Sequence, residues 1–177
     1  GFEILVQTGA GQPAGSTDEE YAAAGAKIVS AAEAVAQADL ILRVVLDSSS
    51  APPELGQMRT GQALIAFMNP TGNLDLVQRF AAQGVNTFAL ELIPRITRAQ
   101  SMDALSSMST IAGYKAALLA ANHLPKFFPM LMTAAGTLPP ARALIIGAGV
   151  AGLQAIATCK RLGAIVEAFD VRPAVKE

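Results

Sequence analysis

Through the first ninety or so residues, short apolar runs alternate with helix-compatible stretches. That rhythm predicts an α/β layer structure with mainly parallel strands. Strands are expected at residues 2–7, 27–29, 40–45, 63–68 and 85–90, and helices at 18–24, 31–37, 54–59 and 74–83. Gly25, Gly61 and Gly84 fall where helices end before the next strand, and Asp18 follows Ser16 and Thr17, a cap-like helix start.

From Pro94 the texture changes. PRITRAQ is polar and basic, and residues 101 to about 127 fit one long helix, ended around Pro125 or Pro129 and expected to bridge two lobes. Ser101 is placed to cap it, with Asp103 in the first turn and Ser106 further along. Met102, Leu105, Met108, Ile111 and Ala112 recur at helical spacing and are expected to pack rather than to bind. Residues 137–142 carry two prolines, cannot continue a helix and read as a connector. Strand, helix and strand follow at 143–146, 150–162 and 165–169. The chain therefore divides into an α/β lobe (1–94), a loop, long helix and linker (95–140), and the start of a second lobe (141–177). That lobe is expected to be a doubly wound parallel sheet, truncated here, since such a sheet needs about six strands. Its edges would then expose apolar surface, and Val175-Lys176-Glu177 reads as the start of a further helix.

Chemistry enters at Gly147-Ala148-Gly149-Val150-Ala151-Gly152, a G-x-G-x-x-G that follows a predicted strand directly and opens a helix. Gly147 allows a tight turn, Gly149 lets a pyrophosphate approach the backbone, and Gly152 lets the helix pack on the strand. The helix would aim its free N–H groups and positive dipole end at the phosphates, so no lysine is needed. Asp170 lies 18 residues after Gly152, at the end of the apolar run AIVEAF. There a carboxylate accepts hydrogen bonds from the hydroxyls of an adenosine ribose and repels a 2′-phosphate, which favours NAD(H) over NADP(H). Arg172, two residues on, could attract such a phosphate.

Composition narrows the field. A net charge of −1, with Lys and Arg scattered along 177 residues, gives no basic stripe and no nucleic-acid partner. The single cysteine, Cys159, excludes an internal disulfide and reads as a small buried hydrophobe. Residues 143–159 carry no charge, but the run is shorter than the roughly 20 residues a spanning helix needs and contains the glycine turn. No cluster of metal-ligand spacing is identified.

Between residues 91 and 114 the chain gathers cations, an amide, a carboxylate and hydroxyls. Capping and a solvated face explain part of this, yet Arg95 and Gln100 precede the helix without a capping duty, where a cleft between two lobes could open. PRITRAQSMDALSSMSTIAGYKA and the stretch from MTAAGTLPPARALIIGAGVAG to the end of the chain resemble the NAD(H)-binding domain of the proton-translocating NAD(P) transhydrogenase family. GFEILVQTGAG, AGAKIV and FMNP are also similar, so the resemblance covers essentially the whole chain. It implies two Rossmann-like lobes, with a further strand and helix before the first residue and further strands after the last.

The resemblance further implies that NADH bound here passes hydride directly to NADP⁺ on the NADP(H)-binding domain of the beta subunit. This exchange would be coupled to proton movement through the membrane domain of the complex. Arg95, Gln100, Asp103 and Ser106 would surround the nicotinamide end, while Gly147, Ala148, Gly149, Val150, Ala151, Gly152, Asp170, Val171 and Arg172 would hold the pyrophosphate and ribose. Hydride transfer between two nicotinamides moves no proton at the reacting carbons, so the protein has to align the rings and exclude water. A homodimer is also implied, peripheral on the cytoplasmic face of a bacterial inner membrane or on the matrix side in mitochondria.

Two alternatives stay open. Alanine dehydrogenase resembles this layout but needs a cation for its substrate carboxylate and a lysine or histidine for proton transfer. His123, the one histidine, falls at the end of the long helix, and RAQSMDALSS is the transhydrogenase form of the loop. An NAD-sensing module would need Asp170 and the glycines but would have no use for Arg95 and Gln100.

Overall fold

The computed structural model describes residues 1–46 and 53–173. It forms two units, Gly1–Arg95 and Ile96–Glu177.

In the first unit, β1 (Leu5–Gln7) lies parallel to β2 (Lys27–Val29), with α1 (Asp18–Ala23) between them in sequence. β1 is shorter than the expected 2–7 because its partner offers only three residues, although backbone bonds at Ile4 and Thr8 extend the ladder at each end. Thr17 caps α1 and Ser30 caps α2 (Ala31–Gln37). Each hydroxyl accepts from the N–H of the glutamate three residues on, and that carboxylate accepts in return from the cap N–H. β3 (Leu40–Val45), β4 (Ala63–Phe67) and β5 (Asn86–Ala89) form a parallel sheet in that order, and α3 (Leu74–Gln83) links the last two. Leu64 and Ala66 alternate inward from β4 and meet Leu46, Met68, Leu76 and Phe80 in a buried core. Gln62 is buried at the foot of β4. Its amide donates to the carbonyls of Val35 (2.8 Å) and Ala38 (2.5 Å) and its oxygen accepts from the Arg59 N–H, tying α2 to the sheet. Residues 54–59 are not an α-helix; Pro53–Gln57 makes a 3-10 turn, a short form suited to a segment that contains a glycine.

The second unit opens with a 3-10 turn at Thr97–Met102, followed by α4 (Ala104–His123). This helix starts three residues later than expected because Asp103, not Ser101, is its cap. It ends earlier because Leu124, ahead of Pro125, takes an extended ψ of 125°. A hairpin, β6 (Leu131–Thr133) with β7 (Gly136–Leu138), occupies residues not assigned to strands, and Thr137 and Leu138 belong to it rather than to a connector. β8 (Arg142–Ile146) and β9 (Ile165–Phe169) are parallel, in register from Arg142↔Ile165 to Ile146↔Phe169, and α5 (Val150–Arg161) crosses between them.

The core of this unit is small-residue packing: Ala117, Ala141 and Cys159 with Phe128. Cys159 is buried as expected, and burial pushes its thiol pKa up. The expected packing role of Met102, in the turn before α4, and of the larger residues of α4 is corrected. Met102, Met108 and Ile111 are 57%, 41% and 59% exposed, because α4 turns its narrow edge, Gly113 and Ala117, inward. The helix start expected at 175–177 lies outside the described residues. Among the described residues, no helix is long and apolar enough to cross a membrane.

Candidate functional site

The carboxyl end of β8 runs into Gly147, whose φ of +97° is the left-handed turn that glycine adopts without strain. Its N–H donates to the Phe169 carbonyl at 2.7 Å, so the β8–β9 ladder continues into the turn. Gly149 caps α5 with no side chain, and the first i→i−4 bond of the helix is Leu153 N–H to Gly149 C=O, 2.8 Å. The N–H groups of Val150, Ala151 and Gly152 stand ahead of that bond at the positive end of the helix dipole. Gly152 closes the turn: a Cβ there would collide with the Gly147 carbonyl, lying 2.8 Å from its carbon.

Asp170 follows β9 directly, and only 9% of its side chain is exposed. Four donors fill its two oxygens. Ala148 N–H (2.7 Å) and Arg172 Nη2 (2.9 Å) reach Oδ2, and Arg172 N–H (2.8 Å) and Nε (2.9 Å) reach Oδ1. The Arg172 guanidinium, then the two backbone N–H groups, hold this carboxyl well below the usual carboxylate range. Nη2 of Arg172 also lies 3.8 Å from where a Cβ of Gly149 would stand, so the guanidinium leans over the glycine turn. Ile146, Gly147, Phe169, Asp170, Val171 and Arg172 line a cavity of about 250 Å³ at the carboxyl ends of the two strands. This is where open α/β sheets take their ligands. A second cavity of about 280 Å³, against Ala117, Leu124, Phe128 and Cys159, is apolar apart from Arg142, which is paired with Glu167. The first is therefore the candidate site.

The remaining sequence candidates fall elsewhere. Asp103 and Ser106 are half-buried at the start of α4, where Oδ1 accepts the Ser106 N–H (2.9 Å) and Oδ2 the Ser106 hydroxyl (2.6 Å). Gln100 is exposed in the preceding 3-10 turn, and its carbonyl accepts the Asp103 N–H at 3.3 Å. Arg95 is exposed and ends the first unit. One residue beside the glycine turn is absent from the sequence candidates: Gly113 of α4, whose Cα edge meets the Ala151 backbone. An isolated glycine inside a strong helical pattern is the signal that could have found it.

A parallel strand pair, a glycine turn opening a helix, and an acid closing the second strand define a dinucleotide-fold α/β protein. The chain belongs to the alanine dehydrogenase/PNT family, whose N-terminal domain matches residues 1–112 and whose C-terminal domain matches residues 116–177. It is 48% identical over 180 residues to an NAD(P) transhydrogenase alpha-subunit chain of Rhodospirillum rubrum, covering 100% of this chain and 47% of that protein. The transhydrogenase crystal structure from Sinorhizobium meliloti superposes with a TM-score of 0.91 at 51% identity, over 99% of this chain and 50% of that one. A solved L-alanine dehydrogenase gives 0.80 at 26% identity, over 99% and 48%. The parallel-sheet α/β fold is thus the Rossmann-like fold of both, and the chain spans about half the length of these relatives.

Proposed function

We propose that this chain is the NAD(H)-binding part of a proton-translocating NAD(P) transhydrogenase. In this reading hydride passes directly between NAD(H) held here and NADP(H) held on the NADP(H)-binding domain of the beta subunit. The exchange is coupled to proton movement through the membrane domain, and the chain acts as a homodimer at the membrane surface. The observation that carries the reading is the bare glycine turn ahead of α5, whose Gly147 lines the same cavity as Asp170 and whose Ala148 N–H donates to that acid at 2.7 Å, in a chain that aligns over its whole length with a transhydrogenase alpha subunit.

The residues present fit a dinucleotide. Two glycines leave the turn bare, and the N–H groups of Val150 to Gly152 are donors placed for a pyrophosphate. Ribose hydroxyls are donors too, so they replace the Arg172 guanidinium on Asp170 while the Ala148 N–H bond is kept. The released guanidinium stays near Gly149, within reach of the phosphates. When bound, the nicotinamide supplies and accepts the hydride. Arg95, Gln100, Asp103 and Ser106 serve its nicotinamide end by fixing the carboxamide and ribose, since no acid or base is needed at the reacting carbons. In domain terms, 1–94 is the first lobe, 95–140 the nicotinamide-side segment with the long helix, and 141–177 the opening of the NAD(H) lobe.

The test mixes the intact protein with its NADP(H)-binding partner and follows hydride exchange between NADH and an NADP⁺ analogue, with L-alanine and pyruvate as a parallel arm. Exchange between the nucleotides is expected, and alanine-dependent NADH formation would overturn the proposal in favour of an alanine dehydrogenase. Gln100→Asn should slow transfer far more than it weakens NADH binding. Unchanged transfer would point to a module that only binds NAD.

A further inference from the structure

Gly113 stands in the middle of α4, where glycine is a poor helix former and a conformational reason for it is missing. Its reason is contact. A Cβ at this position would overlap the Ala151 carbonyl oxygen and lie 2.9 Å and 3.0 Å from the carbonyl carbon and Cα of the same residue. These are backbone atoms of the first turn of α5, so no side-chain rotation can make room. Ala117, one turn along the same edge, is 3% exposed and keeps the approach close. On its far side the same turn meets the strand end through Gly152, where a Cβ would collide with the Gly147 carbonyl. The first turn of α5 is therefore held from two directions by positions without side chains.

We propose that Gly113 is a positioning residue for the dinucleotide: by letting α4 rest on the Ala151 backbone, it sets how far the N–H groups of Val150 to Gly152 reach toward the pyrophosphate. The inference rests on the binding role proposed above for that turn. It also gives α4 a second task. Ser106 lies two turns back from Gly113, roughly 10 Å along the axis, so the contact fixes the spacing between the Asp103–Ser106 pair and the phosphate end. An alanine at 113 must separate the two helices by roughly an ångström to restore ordinary van der Waals distances. Asp170 is held from β9 and stays where it is.

The consequence is selective. ADP, which needs both the acid and the turn, and adenosine, which needs only the acid, should respond differently in the intact protein. Gly113→Ala should weaken ADP binding by about 10-fold or more, the order of one lost hydrogen bond to a charged group, and adenosine binding by less than about twofold. Ala117→Gly removes a buried methyl without pushing the helices apart or touching Ala151, and should lower Tm while leaving the ADP-to-adenosine affinity ratio unchanged. Equal weakening of both ligands by Gly113→Ala, or no weakening of ADP, would overturn the inference. Hydrogen exchange on the wild-type protein gives an answer even where the variant does not fold. ADP, but not adenosine, should slow the α4 amides around Gly113, and absence of that difference would also overturn it. Failure of the dinucleotide-binding role itself looks different, because wild-type protein would then bind neither NADH nor ADP.

Discussion

Asp103 has one role that the structure shows and a second that the proposed function gives it, and a pair of substitutions can separate them. In the structure it is the cap of α4, accepting the Ser106 N–H at 2.9 Å and the Ser106 hydroxyl at 2.6 Å. In the proposed function it also belongs to the nicotinamide end. Asp103→Ala removes both bonds. Loss of a helix cap costs about 0.5–2 kcal/mol, and loss of the part-buried hydroxyl bond adds about 1 kcal/mol. At about 2–4 °C per kcal/mol for a chain of this size, Tm should fall by roughly 3–12 °C. Asp103→Asn keeps a carbonyl oxygen for the Ser106 N–H, and its amide can donate to the Ser106 hydroxyl. Its Tm should stay within roughly 2 °C of wild type, which corresponds to about 0.5 kcal/mol. Thermal melts by circular dichroism give the first comparison, and NADH titration with the hydride-exchange assay gives the second. If the carboxylate serves only the helix, Asp103→Asn will be wild type in every assay, and Asp103 leaves the nicotinamide-end group. A wild-type Tm for Asp103→Ala would refute the capping argument itself.

Gly152→Ala pits a helix-propensity gain of about 1 kcal/mol against a collision with the Gly147 carbonyl that no rotamer relieves. Overpacking of this kind costs about 1–3 kcal/mol or more, so Tm and NADH affinity should both fall, and a more stable variant would contradict the close approach. Arg172→Gln frees two acceptor positions on Asp170 and should tighten binding of adenosine, a ligand with a diol and no phosphate, in a calorimetric titration; weaker adenosine binding would count against displacement of the guanidinium. Asp170 has a folded-state pKa below its unfolded value of about 3.9. Its contribution to stability is therefore complete above that pH and lost as the pH falls further. Asp170→Asn should flatten the acid limb of a stability-versus-pH curve, and an unchanged limb would show that the carboxylate gains nothing from its partners.

The elements that sequence pattern locates best are those whose signals are local. The capping boxes at Thr17 and Ser30, the glycine after α3 and the turn at Gly147 all write their geometry in a few adjacent residues. The β6–β7 hairpin is illegible in the sequence because its two-residue turn is Ala134-Ala135, which lacks the Asn-Gly or Asp-Gly signal, between strands of only three residues. The exposure of Met102, Met108 and Ile111 runs against the pattern because α4 packs through its smallest residues, and apolar periodicity favours large ones. At the candidate site the glycines and Asp170 are visible as a spacing. The four donors on Asp170 and the Gly113 contact are not, since they depend on which backbone atoms the fold brings together.

The clasp between Asp170 and Arg172 bears on timing as well as affinity. With its charge matched by the guanidinium, the acid presents no bare anion to an arriving nucleotide. On the proposed reading, NAD(H) and NADP(H) then meet the free protein at similar rates, and a 2′-phosphate encounters its repulsion only after the clasp has opened. Under that proposal, discrimination between the two cofactors is a matter of residence time, written in dissociation rather than in encounter.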